Sequence, residues 1–173
     1  MLWKKYVGAA AIASAMIAAG CASGSGSAGS SGTAQGAGSG TTVTVHNVPG
    51  VGTTLVDGSG KTLYFADQET SGTIKCLNAC LRFWSPLTVS SGVAPTASAG
   101  VGGTLSTVHR PDGPMQVTLD GKPLYRFSLD NGPGQTSGNG VTDMFDGTQF
   151  NWHAAVASGS AAPASSGGNG YGY

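Results

Sequence analysis

Met115-Gln116-Val117-Thr118-Leu119-Asp120-Gly121-Lys122-Pro123-Leu124-Tyr125-Arg126-Phe127-Ser128-Leu129-Asp130 is the stretch that decides the fold. Residues 115–119 alternate and are rich in β-formers, which predicts a strand. Asp120-Gly121 is a tight-turn pair, because both residues accept positive φ readily. Residues 122–129 then form the partner strand of a hairpin. On that strand Leu124 and Tyr125 point to opposite faces, while Tyr125 and Phe127 share one face and form a buried stripe. Asp130 lies five positions beyond Tyr125 and is expected to cap the loop that follows, serving the backbone rather than a substrate.

The same pattern occurs earlier. Thr54-Leu55-Val56-Asp57-Gly58 followed by Lys61-Thr62-Leu63-Tyr64 repeats the strand, the Asp-Gly turn, the lysine and the Leu-Tyr pair. Residues 53–56 and 61–66 are therefore also expected to pair as a hairpin around Asp57-Gly58-Ser59-Gly60. The first copy has Ala66 at the aromatic position and Glu69 at the acid position. Two copies are too few for a solenoid, so the expectation is a small, mostly β, pseudo-duplicated antiparallel domain. Further strands are expected at 42–46, 104–109 and 149–155, with a turn at Arg110-Pro111-Asp112-Gly113. Helical periodicity is nowhere sustained, and one short helix is expected near 76–83.

Outside 41–157 the composition changes. Residues 22–40 and 158–173 hold the Gly/Ser/Ala excess, and such segments bury too little apolar surface to offset their ordering entropy. The first is read as a flexible stalk with a root-mean-square reach of roughly 25 Å, the second as a disordered tail. Gly24-Ser25-Gly26-Ser27-Ala28-Gly29 matches a dinucleotide-binding pattern, but it lacks the flanking strand and helix and is an accident of composition.

The first 20 residues read as a signal peptide. Lys4 and Lys5 precede an apolar run from Tyr6 to Ala19 that is short for a membrane span. The run ends in Ala18-Ala19-Gly20 before Cys21, which resembles a lipobox, with Ala18 where a larger aliphatic residue is usual. The resemblance implies a lipidated Cys21 as the mature N-terminus and a membrane anchor of several acyl chains. Ordinary secretion and an uncleaved anchor are the competing readings. Ala22 follows Cys21 in place of the aspartate that signals inner-membrane retention. The outer membrane is therefore favoured in a host with two membranes, the domain facing the periplasm or the exterior. The mature chain has six basic and eight acidic residues and no basic cluster, which argues against nucleic acid as a partner.

Residues 41–157 resemble the secreted-repeat lipoproteins, a bacterial envelope family described by a Tyr-x-aromatic-x-x-Asp motif. Tyr125-Arg126-Phe127-Ser128-Leu129-Asp130 fits the motif. Arg110, Asp112-Gly113, Gln116-Val117-Thr118 and Trp152 fit its surroundings, and Cys76-x-x-x-Cys80 with Trp84-Ser85-Pro86-Leu87 fits a further region. The resemblance marks Tyr64, Trp84, Arg110, Asp112, Gln116, Tyr125, Phe127, Asp130 and Trp152 as candidate ligand-binding residues. It implies little about activity.

Cys76 and Cys80 can form a disulfide across one helical turn, the default in an oxidising compartment. A redox pair and a metal thiolate are the alternatives, although the spacing is not C-x-x-C. His46, His109 and His153 stand singly. His109 and His153 with Met115 and Met144 are weak candidates for copper. The oxygen-rich loop 130–140 with Asp143 and Asp146 offers weak calcium chemistry, though turn chemistry explains its composition. No cofactor is predicted, and no nucleophile elbow is present. The reading is a non-catalytic envelope lipoprotein whose domain binds an envelope protein or small ligand, or supports envelope structure. A copper or redox accessory protein is the alternative and a hydrolase the third.

Overall fold

The computed structural model describes residues 42–157. The leader, Cys21, the stalk and the tail lie outside these residues. Eleven strands run in the order β1 (Val43–Val48), β2 (Gly52–Asp57), β3 (Leu63–Ala66), β4 (Trp84–Pro86), β5 (Thr88–Val89), β6 (Leu105–His109), β7 (Met115–Leu119), β8 (Lys122–Pro123), β9 (Tyr125–Phe127), β10 (Thr142–Phe145) and β11 (Thr148–Ala154). All strand pairs are antiparallel. β1 and β2 form a ribbon, and a central sheet has the order β10-β11-β3-β9-β4. The last sheet has the order β5-β7-β6, with β8 also on β7.

The alternation read from the sequence sorts the core into two layers. Leu63 and Leu124 enter one cluster with Val43, Leu55, Phe65, Leu87, Val117 and Leu119. Tyr64 and Tyr125 enter the other with Trp84, Phe127, Phe150 and Trp152. Each Leu-Tyr dipeptide thus feeds both faces of the central sheet, as a period of two requires. Tyr125 and Phe127 are both buried, as the shared face predicts.

Both expected hairpins form next to their turns but open sooner than the sequence implies. Val56 pairs with Thr62 in a single bridge, and β3 then leaves β2 for the central sheet. In the second copy Thr118 pairs with Pro123 and Leu119 with Lys122, after which β9 departs in the same way. The outgoing strands prefer each other: Leu63 faces Arg126 and Tyr64 faces Tyr125. Pairing there seals the aromatic layer, which two separate hairpins would leave open to water.

Equivalence extends further along the chain. β11 flanks β3 with Trp152 opposite Ala66 and Ala154 opposite Tyr64. β4 flanks β9 with Trp84 opposite Phe127 and Pro86 opposite Tyr125. The backbone repeats this match. Leu55 N–H donates to Ala155 O and Ala155 N–H to Leu63 O, as Val117 N–H donates to Leu87 O and Leu87 N–H to Leu124 O. The two halves are therefore related by a pseudo-twofold between β3 and β9.

The expected helix is a 3-10 turn, Asn78–Arg82, and a second one covers Asp67–Gly72. The Cys76–Cys80 disulfide is formed, with Cα atoms 5.3 Å apart. The Asp120-Gly121 turn has φ of 49° and 77°, the left-handed pair expected there.

Candidate functional site

The motif residues converge on the pseudo-twofold. Tyr64 donates its hydroxyl to Asp130 Oδ2 at 2.5 Å, so the tyrosine of one copy meets the acid of the other. Asp130 Oδ1 also accepts the Ser137 N–H at 3.0 Å, which is the loop cap read from the sequence. Glu69 has the matching place in the first copy. Its Oε1 accepts the N–H groups of Lys75 and Cys76, both at 2.6 Å. Burial, then the Glu69 carboxylate, pushes the Tyr125 pKa far up. Glu69 Oε2 is nevertheless buried without a hydrogen bond of standard geometry, so this link is looser than Tyr64 to Asp130. Burial and then Asp130 push Tyr64 up as well. Burial also holds the Asp130 carboxyl above its ordinary range, against the hydrogen bonds from Tyr64 and Ser137.

Beside the tyrosines, Trp84 and Trp152 stack in parallel, with ring centroids 3.8 Å apart and planes 9° apart. Their indole N–H groups both donate to one carboxylate. Trp84 Nε1 lies 2.7 Å from Asp143 Oδ2 and Trp152 Nε1 2.9 Å from Asp143 Oδ1. Burial raises the Asp143 pKa although both indole bonds act to lower it. Tyr64 meets Trp84 edge-on at 5.5 Å and Tyr125 meets Trp152 at 5.2 Å, the arrangement that ring quadrupoles favour. Gly138 permits this closeness, since a Cβ there would stand 2.9 Å from the Trp84 ring and 3.0 Å from that of Tyr64.

Arg110, Asp112 and Gln116 complete the centre on the Tyr125 side. Arg110 Nε and Nη2 hold Asp112 at 2.7 and 3.0 Å. Nη1 donates to Gln116 Oε1 at 2.6 Å, and Nη2 also reaches the Cys76 carbonyl at 3.0 Å. Gln116 passes the order on, donating to Leu124 O at 2.8 Å. The bond from Arg110 holds Asp112 below the ordinary carboxylate range. This network ties the disulfide loop of the first copy to the motif strand of the second. Arg110 is buried, and a buried guanidinium needs this many acceptors.

Tyr64, Trp84, Arg110, Gln116, Tyr125, Phe127, Asp130 and Trp152 are thus buried together, and Asp112 alone of these ligand-binding candidates is substantially exposed. The acids face donors from tyrosine, indole, arginine and backbone of the same chain. The arrangement can bind the two copies to each other, and its carboxylates accept hydrogen bonds from buried phenol and indole groups.

The weak metal candidates are split. His109 faces Met115 directly across β6 and β7. His153 lies opposite Phe65 and Met144 opposite Gln149, both in the central sheet. His153 Nε2 is 3.0 Å from Asp67. Among the described residues no three His, Cys, Asp or Glu side chains cluster in a way that could hold a metal ion. In the oxygen-rich loop, Gln135 Oε1 takes the Gly132 N–H at 3.3 Å, and Asp130 and Asp143 are engaged as described.

Two surface pockets flank the 3-10 turn that carries Cys80. One, of about 340 Å³, is lined by Ala79, Arg82, Phe83, Met144, Phe145 and Asp146. The other, of about 320 Å³, is lined by Leu77, Asn78, Leu81, Pro111 and Asp112. Sequence reading missed both, together with the role of Asp143. One overlooked signal was Asp146-Gly147, which turns β10 into β11 with φ of 49° and 78°, much as Asp120-Gly121 turns β7.

No curated protein and no solved structure matches the chain. No helix among the described residues is long and apolar enough to cross a membrane. The family that the motifs around Tyr125 resemble is the one that residues 106–155, from β6 to the end of β11, match: a secreted repeat of unknown function.

Proposed function

We propose that the chain is an envelope lipoprotein, anchored through an acylated Cys21, whose stalk presents a non-catalytic domain to a partner or to the envelope itself. A secreted family fits a location outside the cytoplasm. The observation that carries the non-catalytic reading is the fate of the motif. Its tyrosines, tryptophans, arginine and acids are spent on one another inside the core, while two pockets beside the disulfide open to the surface. Such pockets, apolar with one or two charged groups at the rim, suit a small ligand or a side chain of an envelope protein. Ala22 after Cys21 supports an outer-membrane address in a host that has two membranes.

The test is intact-mass analysis of the protein taken from membranes of a lipoprotein-processing bacterium, beside Cys21→Ser. The expected result is an acylated mature chain beginning at Cys21, and release of the variant from the membrane fraction. A soluble, unacylated wild type would overturn the tethered reading. The copper alternative draws on one observation, the cross-strand pair of His109 and Met115. Copper titration with no change on His109→Ala would remove it.

A further inference from the structure

The geometry points to the Trp84–Trp152 pair with Asp143 as a one-electron oxidation site, in which the stacked indoles give up an electron to a high-potential metal complex and Asp143 takes the indole proton. Nothing in this inference depends on Cys21 or on membrane tethering. Three features carry it. Rings stacked at 3.8 Å and 9° overlap enough to share a positive hole, which lowers the energy of the oxidised state relative to one indole alone. Both N–H groups already lie on hydrogen bonds to one carboxylate, so a proton can leave without any side chain moving. The pair is fully buried, so water and other chains cannot quench a radical formed there.

A path to the surface is built in. Phe150 stacks on Trp152 at 5.6 Å, Phe145 meets Phe150 at 6.1 Å, and Phe83 stacks on Phe145 at 6.0 Å. Phe83 and Phe145 line the 340 Å³ pocket, whose Met144 is among the most exposed large apolar residues described. The oxidant is placed at that pocket. In the step, one electron passes from the indole pair to the oxidised metal, which is reduced by one unit. An indole N–H bond breaks, its proton bonds to an Asp143 oxygen, and a neutral tryptophanyl radical faces a protonated carboxyl. Return of one electron from a reduced partner, with the proton moving back, restores the start.

The test is flash-quench oxidation of the full chain by a photogenerated ruthenium(III) polypyridyl complex, read by transient absorption and electron paramagnetic resonance. Trp3, the remaining tryptophan of the sequence, is replaced by Phe so that any tryptophanyl signal belongs to the pair. The expected product is a neutral tryptophanyl radical, its spin on the indole that has given its proton to Asp143. In Asp143→Asn the expected product is the cation radical. If that variant does not fold, the appearance of the neutral radical in the otherwise unaltered chain must slow in deuterium oxide after full exchange. Absence of any tryptophanyl radical, a tyrosyl radical alone, an undiminished neutral radical in Asp143→Asn, or no isotope effect would each overturn the assignment.

Discussion

The two halves of the domain perform one task with different local parts. Around Tyr125 and Asp130, the motif carries Phe127 against Trp84, and the following loop closes through Gly138 and the β10–β11 hairpin. Around Tyr64 and Glu69, Ala66 stands in place of the phenylalanine, and a disulfide holds the loop instead of a hairpin. What both halves keep is a tyrosine on the shared strand pair, an acid that fixes the next loop, and a tryptophan on the flanking strand. The difference teaches that the motif describes an interface between copies, since each acid lies beside the tyrosine of the other half. A loop can be closed by a hairpin or a disulfide, whereas the central contacts have no substitute.

That distinction can be broken most severely at the tryptophans. Trp84→Ala and Trp152→Ala are each expected to cost about 3–5 kcal/mol in denaturant unfolding, as for other large aromatic truncations in a core. Trp84→Phe and Trp152→Phe keep a ring and remove one N–H apiece. Because the two indoles share Asp143 and one stack, the double Phe variant is expected to differ from the sum of the singles. Strict additivity would show that the halves are independent and would defeat the interface reading.

The tyrosine hydroxyls sharpen the comparison. Tyr64→Phe removes a 2.5 Å bond to a buried carboxylate, a loss of about 1.5–3 kcal/mol for a bond to a charged group. Tyr125→Phe is expected to cost less, because Glu69 already accepts two backbone N–H groups and its other oxygen makes no standard bond. Equal losses in urea titrations would mean that the looser link is as strong as the tight one. Next in size comes Cys76→Ala with Cys80→Ala, at about 2 kcal/mol for so short a loop. Hydrogen exchange in this variant is expected to rise at the backbone N–H groups of positions 75 and 76, which Glu69 holds, and to stay unchanged at Ser137. Exchange rising equally in both loops would mean that the disulfide steadies the whole centre.

Much of this was legible in the sequence because period-two patterns and Asp-Gly turns act locally. Whereas β4, β5 and β10 were not read, the positions of β1, β2, β3, β6, β7, β9 and β11, the Leu-Tyr division between two layers, the disulfide and the cap at Asp130 all follow from residues within a few positions of each other. The partner of each outgoing strand does not. Lys61-Thr62-Leu63-Tyr64 looks equally suited to β2 or β9, and burial of the aromatic layer decides it. Asp143 was hidden for a similar reason. In a run with Asp146 and abundant turn residues it looks like a solvated oxygen ligand, and only the meeting of β10 with two distant tryptophans gives it a buried role. Glu69 was legible as the acid of the first copy, but the Lys75 and Cys76 N–H groups that its carboxylate holds were not.

The smallest expected effect separates Asp130 from Asp57, the acid of the first Asp-Gly turn. Burial raises the Asp130 pKa in the folded chain. Its contribution to stability is therefore complete below the ordinary aspartate value and is lost as pH rises through the folded value. Asp57 has the opposite sign. Burial acts upward on it, but bonds from Ser59, Arg126 and Lys61 together hold it below the ordinary range. Its contribution is present above the unfolded value of about 3.8 and is lost as pH falls through the folded one. The deficit of Asp130→Asn relative to wild type should accordingly shrink as pH rises from acid towards neutral, while that of Asp57→Asn should grow. Unfolding midpoints measured at a series of pH values test both at once. Deficits that move in the same direction would show that the two carboxylates do not differ in the way their surroundings require, because only a buried acid short of cationic partners gains from holding its proton.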